Sequence, residues 1–464
     1  MSALPVVLPI PYRDPAVAFA PLANGNMSVL LESALASPQG RYSYIAHDPF
    51  SIIRCTPHPW RVSVDGRSSA EDPFTVLAQT LARFPADDPG EPAPFSGGAI
   101  GFFSYELGGV LERLPAPRGQ PCPADMAVGL YDVVAAFDHE RRESWIISQG
   151  FPAVGNDRLA RAQSRAAALA SVLGTAPLAA PVRPHSRWMP ESTRAAHESR
   201  VGQILEAIRA GEIYQANVTQ RFLADLPEGT QPFDLYRLLM GRSPAPFAAF
   251  LNAGDMALIS ASPERFLSLG RDRAVETRPI KGTRPRGRTP AEDASFAQDL
   301  MTSPKDRAEN LMIVDLLRND LSRVCEPGSV RVPALCALET FPAVHHLVSS
   351  VTGRMREGLT AADLLRATFP GGSITGAPKI HAMEIIHALE PAARGPYCGA
   401  VAWMGFNGAM DSSIVIRTLV KCGNRLIAQA GGGIVADSDP AQEYDESLTK
   451  AAALLSVLDE GTPA

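Results

Sequence analysis

The sequence predicts an α+β fold in which large antiparallel β-sheets pack as a sandwich with helices outside. Short apolar runs broken by Gly, Pro and Asp recur through the first 150 residues, as is typical of antiparallel strands. Hairpin turn signals recur near the C-terminus, and stretches of helical periodicity lie between these two regions. With 464 residues, 45% of them hydrophobic, the chain is long enough to bury a large core.

Residues 1–175 are predicted to form an N-terminal lobe that is mostly antiparallel sheet. The small residues at 97–101 indicate close packing of the backbone rather than a phosphate loop, because they do not have the G-x-G-x-x-G spacing. The elements expected in this lobe are strands at 29–31, 52–53, 62–64 and 97–103, and helices at 73–84 and 158–173.

Residues 176–190 contain four prolines and predict a crossover to a second lobe at 191–464. Apolar residues at Val201, Ile204, Leu205 and Ile208 form one helical stripe, which Gly211 ends. The other elements expected in this lobe are strands at 213–222, 247–267 and 426–435, helices at 303–324 and 442–458, and a hairpin of 401–406 with 414–420 around an Asn-Gly turn.

Composition excludes several classes of protein. The chain has 43 basic and 49 acidic residues and a net charge of −6, so neither a nucleic-acid surface nor a membrane surface is expected. Prolines interrupt the apolar N-terminus, and no later apolar run approaches the roughly 18 residues of a membrane span. The six cysteines lack C-x-x-C spacing, which argues against a zinc site and a disulfide framework and favours the reducing cytoplasm.

Lys281 stands among three arginines, between two prolines and directly before Gly282. Like charges and burial both disfavour protonation of an amine, so this setting predicts a lowered pKa and a usable nucleophile. A solvated basic loop is the alternative. Glu264 precedes Lys281 by 17 residues, and a hairpin between them would bring an acid beside the amine as a proton donor or as a simple ion-pair partner.

Two predicted helices each present a pair of acids at i, i+3, which places both acids on one helix face. The pairs are Asp306 with Glu309 and Glu443 with Glu446. If the two faces meet, four carboxylates converge and need a cation, and oxygen ligands beside an anionic substrate favour Mg²⁺. The alternative is that Glu446 forms only an exposed i, i+4 salt bridge with Lys450.

Two further features predict contact with an anion. The glycines at 431–433 follow a predicted strand, so either a ligand approaches the backbone there or the strand bulges. Arg417 is expected on a mostly apolar strand face, where its charge needs an anionic partner that is either a substrate or a structural acid.

Taken together, these segments resemble the chorismate-utilising enzymes. The resemblance is strong over about residues 190–460 and looser in the N-terminal half, through 30–33 and 97–106. Agreement over many spaced motifs is far more specific than any one of them. The segments that carry it are 262–266 (SPERF), 279–284 (PIKGTR), 308–310 (AEN), 315–320 (DLLRND), 369–379 (FPGGSITGAPK), 416–418 (IRT) and the three glycines.

The resemblance implies a reaction and a set of roles. Lys281 would attack C2 of chorismate while Glu264 protonates the departing C4 oxygen, and ammonia would then add at C4 and expel the lysine. Glu309 and Glu446 would ligate Mg²⁺ directly, and Asp306 and Glu443 would do so through water. The expected substrate contacts are Gln215, Gly282, Thr283, His346, Ser373, Tyr397, Arg417, Gly431, Gly433 and Lys450, although a structural role for His346 stays open.

Two positions favour amination at C4 within this family. Members that aminate C2 carry alanine where this chain has Lys281, and members that add water to the ring carry a lysine base at the position of Gln215. Glutamine cannot deprotonate water, so ammonia is the expected nucleophile. C2 amination with loss of pyruvate is the nearest alternative, and a non-catalytic scaffold that binds an amidotransferase or senses an amino acid is the alternative from another class.

The resemblance also implies partners. No glutaminase motif occurs in the sequence, so ammonia is expected from a separate glutamine amidotransferase subunit or from solution. A separate lyase would release 4-aminobenzoate, a precursor of folate. Glu32 and Ser33 resemble a segment that forms a tryptophan pocket in relatives.

Overall fold

The computed structural model describes residues 4–35, 37, 39–86, 92–119, 122–341 and 344–459. In these ranges the chain forms 24 β-strands and 11 α-helices, and the strands assemble into two antiparallel sheets of 12 strands each. The predicted α+β class with large antiparallel sheets is therefore confirmed.

The first sheet mixes strands from the beginning and the end of the chain. In spatial order it contains β1 (Val6–Ile10), β10 (Glu143–Ser148), β9 (Val133–Asp138), β3 (Tyr42–Ala46), β2 (Ser28–Glu32), β13 (Phe247–Asn252), β14 (Met256–Ser262), β23 (Thr418–Cys422), β24 (Arg425–Ile434), β12 (Gln215–Asp225) and β11 (Met189–Pro190), with β20 (Gly376–Ala377) also paired to β12.

The second sheet is mixed in the same way. Its order is β17 (Ile280–Pro285), β19 (Val344–Arg354), β16 (Ala274–Thr277), β15 (Arg265–Leu269), β22 (Met410–Ile414), β21 (Ala400–Gly405), β7 (Gly98–Phe103), β8 (Met126–Tyr131), β4 (Ser51–Cys55), β5 (Val62–Val64) and β6 (Arg67–Ser69), with β18 (Arg331–Thr340) also paired to β19.

The helices cover the outer faces of both sheets. Short 3₁₀ turns occur at Ala20–Leu22, Tyr105–Leu107 and Gly372–Ile374. The α-helices are α1 (Pro15–Phe19), α2 (Pro73–Ala82), α3 (Gly108–Leu111), α4 (Gly155–Val172), α5 (Arg194–Arg209), α6 (Pro232–Met240), α7 (Pro290–Thr302), α8 (Pro304–Ser322), α9 (Ala361–Thr368), α10 (Lys379–Leu389) and α11 (Pro440–Leu455).

The alternation of side chains along the strands produces three apolar layers. In β2, Val29 joins the core shared by the two sheets, whereas its neighbour Leu30 joins the core under α1, α4, α6 and α11. In β7, Phe102 faces the shared core and Phe103 faces the core under α2, α8 and α9. Successive residues of a strand point to opposite faces, so each strand with both faces covered is apolar throughout.

Strands from both halves of the chain pair inside each sheet. β2 pairs with β13 in the first sheet, and β7 pairs with β21 in the second. The division into 1–175, 176–190 and 191–464 stays a prediction about the sequence.

Two expected strands are interrupted, and the prediction was wrong there. Residues 247–267 form β13, β14 and the start of β15, because the chain turns at Gly254 and leaves the sheet at Pro263. The expected strand 414–420 splits between β22 of the second sheet and β23 of the first, so Arg417 lies in the crossing and not on a strand face. Most residues of both segments are buried, and a nearly continuous apolar sequence hides such breaks.

The cysteine spacing also misled the sequence analysis. Cys122 and Cys422 form a disulfide bond across a sequence separation of 300 residues, while Cys55, Cys325, Cys336 and Cys398 are buried free thiols. A pairing at that separation leaves no local spacing signal. The reducing compartment stays a prediction. Within the described ranges, none of the helices has the length and apolar character that crossing a lipid bilayer requires.

The glycines of β7 test the close packing predicted for 97–101. A Cβ atom at Gly98, whose φ is +147°, would lie 2.1 Å from the carbonyl oxygen of Met404. We expect Gly98→Ala to lower the free energy of unfolding by about 2–4 kcal/mol, because both the backbone conformation and the strand contact become strained. Denaturant unfolding measures the change.

Gly202 provides the matched control, since it lies inside α5 and a Cβ there would have no neighbour within 4 Å. Gly202→Ala should raise the free energy of unfolding by about 0.5–1 kcal/mol. An unfolding free energy for Gly98→Ala equal to that of the wild type would contradict the packing argument.

Candidate active site

The candidate site lies where β17 meets the N-terminal end of α8. Ser303 caps α8 by accepting a hydrogen bond from the backbone N–H of Asp306, at 3.3 Å, and Pro304 occupies the first turn. Gly282 has a φ of +81°, and a Cβ there would lie 2.9 Å from the side chain of Asp306. The glycine after Lys281 therefore lets the helix approach the strand.

Lys281 is partly buried, and its Nζ lies 3.4 Å from the carbonyl oxygen of Ser373. Burial lowers the pKa of Lys281, and the charge of Lys450 adds to the lowering. Glu309 and Glu264 act in the opposite direction, yet the net shift is downward. Loss of hydration therefore outweighs attraction by the acids, as expected for an amine in a dry setting.

The neighbouring arginines are not the cause that the sequence analysis assigned to this shift. Each arginine forms ion pairs with carboxylates, so its charge is balanced locally. The pairs are Arg278 with Glu276 and Glu339, Arg284 with Asp299 and Asp306, and Arg286 with Asp293. These acids lie between 2 and 61 residues from their arginines, so the run of basic residues did not by itself show that its charge is balanced.

Glu264 follows β14 and is 7% exposed. Its carboxylate accepts a hydrogen bond of 2.7 Å from the hydroxyl of Ser373. Burial raises the pKa of Glu264 from its ordinary value of 4.5 to about 7, while Ser373 and the charge of Lys281 oppose the rise. β15 and β16 pair as the predicted hairpin between the two residues. Ser373 thus contacts both Glu264 and Lys281.

The four predicted metal-binding acids lie on α8 and α11, and Glu309 of α8 is close enough to Glu443 of α11 for the charge of Glu443 to affect its pKa. Burial raises the pKa of Glu309, and the charges of Asp306 and Glu443 add to the rise. Burial also raises the pKa of Glu443, whose carboxylate accepts a hydrogen bond from Ser438 at 2.6 Å. Although burial opposes it, the ion pair with Lys450, at 2.6 Å, lowers the pKa of Glu446.

The donor chemistry of this group fits a hard divalent cation. All of its donors are carboxylate oxygens, and in the part of the chain that the structure describes Glu309 has no ion-pair partner. Arg284 pairs with Asp306, Lys305 lies 3.8 Å from Glu443, and Lys450 pairs with Glu446. As the side chains stand, however, the described residues contain no group of three or more His, Cys, Asp or Glu side chains arranged so that they could hold a metal ion.

The three glycines continue β24 without a bulge. Asn217 pairs with Gly433 and Thr219 with Gly431 in regular register. A Cβ at Gly431 would lie 2.0 Å from the carbonyl oxygen of Val218, and one at Gly433 would lie 2.1 Å from Nε2 of Gln215. These glycines make room for β12 and for the fully buried Gln215, and the bulge alternative is wrong.

Arg417 adopts a φ of +52° in the crossing between the sheets. Its Nη1 donates to the carbonyl oxygen of Lys450, at 2.9 Å, while Tyr397 and Glu446 lie in its electrostatic neighbourhood. Burial lowers the pKa of Arg417. Lys450 also donates to the carbonyl oxygen of Gly431, at 3.1 Å. These contacts gather Arg417, Tyr397, Lys450 and the glycine strand around one space.

Two adjacent histidines have different surroundings. Nδ1 of His346 lies 2.8 Å from the hydroxyl of Thr283, and burial lowers the pKa of His346 to about 4. His345 instead contacts Thr340 and Asp293, both at 2.9 Å. His345 is thus held by β18 and α7, while His346 lies against Thr283, two residues after Lys281 on β17. The role of His346 stays a prediction.

Glu32 and Ser33 line a separate cavity of about 170 Å³ between the two sheets. Glu32 accepts a hydrogen bond from the hydroxyl of Tyr236, and burial raises the pKa of Glu32 to about 7. Ser33 donates to the carbonyl oxygen of Tyr42, at 2.8 Å. The aromatic side chains of Tyr44, Phe247 and Trp403 also line this cavity. Its occupant stays a prediction.

Sequence reasoning missed two buried residues behind the site. Arg394, 3% exposed, forms a two-pronged ion pair with Glu390, at 2.8 Å in both prongs. They lie in and beside the loop between α10 and β21, where no periodicity marks a residue as buried. Their proximity to Ser373 becomes visible only in three dimensions.

Known proteins share much of this sequence and fold. The sequence matches the family described as chorismate binding enzyme over residues 31–456. It is 44% identical to aminodeoxychorismate synthase component 1 of Klebsiella aerogenes, over 98% of this chain and 99% of that protein. It is 40% identical to anthranilate synthase component 1 of Streptomyces coelicolor, over 96% and 86%. The crystal structure of anthranilate synthase component I from Streptococcus pneumoniae superposes with a TM-score of 0.80 at 32% identity, covering 91% of this chain and 93% of that one.

The raised pKa of Glu264 predicts a dependence of stability on pH. A carboxyl whose pKa is higher in the folded state contributes stability that is present below pH 4.5 and lost as the pH rises through about 7. Glu264→Gln removes this loss. We therefore expect the free energy of unfolding of Glu264→Gln minus that of the wild type to increase as the pH is raised from 4.5 to 7.5.

Urea unfolding at a series of pH values measures the effect, with the exposed Glu71→Gln as the control that leaves the curve unchanged. A constant difference between Glu264→Gln and wild type over this range would mean that Glu264 titrates normally.

Proposed function

The chain belongs to the chorismate binding enzyme family, an enzyme family that acts on chorismate, and on that premise we propose that it aminates chorismate at C4 to form 4-amino-4-deoxychorismate. The observation that carries the proposal is Lys281: its amine is driven toward the uncharged form by burial, and it lies beside an acid whose pKa is about 7. A nucleophilic amine next to a protonated carboxyl matches substitution of a poor leaving group.

The first proposed step breaks the C4–O bond. The lone pair of Lys281 Nζ attacks C2 of the ring, the two ring double bonds shift, and the C4 hydroxyl leaves as water with the proton of Glu264. The new C2–N bond holds the ring on the enzyme, and the attached amine loses one proton. Ser373 contacts both reacting side chains and so keeps them in position.

The second proposed step forms the product. Ammonia adds at C4, the double bonds shift back and the C2–N bond breaks. Lys281 Nζ takes up the proton that the added nitrogen gives up and leaves as an amine, and Glu264 regains the proton that the attached amine lost in the first step. The sum of the two steps is chorismate plus ammonia giving aminodeoxychorismate plus water. Gln215 is buried and neutral, and it cannot act as the base that activation of water would require.

Binding of the substrate is assigned to charged and backbone groups around Lys281. The enolpyruvyl carboxylate would lie against Arg417, whose other guanidinium nitrogens remain for an anion beside its bond to Lys450. Tyr397, Gly431 and Gly433 would complete that subsite, and Gly282, Thr283, His346 and Ser373 would border the ring.

Glu309 and Glu446 would hold Mg²⁺ directly, with Asp306 and Glu443 acting through water. When bound, the ion supplies positive charge that fixes the ring carboxylate. Two of these acids, Glu309 and Glu446, act electrostatically on Lys281, and a bound cation would offset the desolvation that raises the pKa of Glu309.

We further propose that ammonia comes from a separate glutamine amidotransferase subunit or from solution, and that a separate lyase converts the product to 4-aminobenzoate. The name of the Klebsiella relative, a component 1, supports a second component. The cytoplasm is the proposed compartment. C2 amination is the second candidate, because relatives named anthranilate synthase cover nearly the whole chain at 40% identity.

Replacement of Lys281 tests the covalent route. We expect Lys281→Ala to reduce the rate of aminodeoxychorismate formation from chorismate, Mg²⁺ and ammonium by about 100-fold or more, since the nucleophile is lost. Mass spectrometry of the product and of the intact protein makes the measurement. The wild-type protein should show an added ring mass on the peptide that contains Lys281.

Lys421→Ala, a surface lysine of β23, is the control and should keep the wild-type rate. An unchanged rate for Lys281→Ala would refute the lysine adduct. If the wild type formed anthranilate, the reaction would be amination at C2 and not at C4. If the wild type showed no turnover at all, the protein would be a non-catalytic scaffold.

Metal binding has its own test. Glu309→Gln should weaken Mg²⁺ binding about 10–100-fold, because one charged oxygen ligand becomes a neutral one. Isothermal titration with MgCl₂ gives the affinity, and a chelator should abolish turnover of the wild type. The exposed Glu292→Gln, on α7, should bind Mg²⁺ as the wild type does. Equal affinity for Glu309→Gln would remove Glu309 from the ligand set.

A further inference from the structure

We propose that Arg394, held by Glu390, is a positioning residue that fixes the turn bearing Ser373 against β12 and so sets the contacts of Ser373 with Glu264 and Lys281. The roles of Glu264 and Lys281 in this inference rest on the proposed function. The test does not, because it can be carried out whichever product the enzyme forms. It concerns residues behind the cleft that touch neither ring nor metal.

Arg394 connects two elements that are remote in the sequence. Its Nη1 donates to the carbonyl oxygen of Ile374, at 3.1 Å, and its Nη2 donates to the carbonyl oxygen of Asn217, at 3.0 Å. Ile374 directly follows Ser373, and Asn217 lies on β12 beside Gln215. One rigid guanidinium therefore spans the gap between the Ser373 turn and the strand opposite.

Glu390 holds that guanidinium in place. Its two oxygens accept from Nε and Nη2 of Arg394, and Oε1 also accepts from the N–H and the hydroxyl of Thr219, at 3.2 and 2.8 Å. Thr219 pairs with Gly431. The carboxylate thus anchors Arg394 to the same strand pair that forms the candidate substrate pocket.

The contacts of Arg394 require an arginine. The side chain is 1% exposed, and the ring of Tyr105 lies 4.6 Å from its guanidinium carbon. A planar fork can pair with a carboxylate and still reach two carbonyl oxygens, whereas a lysine ammonium has three donors at a single point. Arg394→Lys keeps the positive charge, but the lysine cannot pair with Glu390 and also donate hydrogen bonds to the carbonyl oxygens of both Ile374 and Asn217.

Among the described residues, Ser373, in the segment that Arg394 holds, is the one that hydrogen-bonds to both proposed reacting groups. The hydroxyl of Ser373 donates to Glu264, and its carbonyl oxygen lies within reach of Lys281 Nζ. Proton transfer and attack require these groups within hydrogen-bond distance and in a fixed orientation. Displacement of the turn by a fraction of an ångström would act on the reaction through Ser373.

A double-mutant cycle tests this coupling. The four proteins are the wild type, Arg394→Lys, Ser373→Ala and the double variant, each assayed for kcat and for KM of chorismate at saturating ammonium. We expect each single change to lower kcat about 10-fold, with KM changed less than about 3-fold. The double variant should lie within about 2-fold of Ser373→Ala, because Arg394 acts through Ser373.

The pH profile supplies a second readout. Glu264 must be protonated to act as the acid, so the rate falls above its pKa, and the hydrogen bond from Ser373 lowers that pKa. Both single variants should therefore shift the alkaline limb of kcat to higher pH. A purely structural role for Arg394 would lower the amount of folded enzyme and leave this limb unmoved.

Arg41→Lys is the matched control, since Arg41 forms a similar two-pronged pair with the buried Asp138 at a position seven strands away from β12 in the same sheet. It should leave kcat and the pH profile unchanged. Additive losses in the cycle, about 100-fold in the double variant, would overturn the proposal.

Glu390→Gln replaces Arg394→Lys in the cycle if the latter does not fold, since the amide keeps the size of the side chain while removing its charge. Failure of both variants to fold would make the pair a folding element and refute the positioning role. The cycle can be measured as consumption of chorismate, whatever the product. A wild type that forms a different product would therefore overturn the proposed function, and the cycle would still test the role of Arg394.

Discussion

The candidate site depends on the desolvation of one amine. Glu309 and Glu264 both favour the charged form of Lys281, and only burial together with Lys450 lowers its pKa below the ordinary value. The same dry setting raises the pKa of Glu264 to about 7. One physical cause thus lowers the pKa of the amine and raises the pKa of the acid, so burial favours the uncharged form of both groups.

The sandwich brings the required groups together. Lys281 lies on an edge strand of the second sheet, whereas Gln215 and the three glycines belong to the first. α8 packs on the second sheet and α11 on the first, so the two pairs of acids come from opposite layers. Arg417 lies where the chain crosses from one sheet to the other. The cleft is therefore a property of the junction, and neither sheet would form it alone.

The similarities in sequence explain why the fold is shared and the reaction differs. Identities of 44% and 40% to relatives named aminodeoxychorismate synthase and anthranilate synthase are too close to separate the two activities. In the proposed mechanism the distinction lies in one side chain, Lys281, whose chemistry is available only because the shared cleft buries it.

The sequence by itself determined the fold class, most helices and strands, and the acids that share a helix face, because periodicity and turn chemistry are local. It also grouped Lys281, Glu264 and Glu309 through motif spacing. Tertiary structure alone decided the ion pairs that cancel the arginine run, the crossing at Arg417, the disulfide bond and the burial of Arg394. Each of these depends on how the chain folds in three dimensions and on loss of water, which no local pattern records.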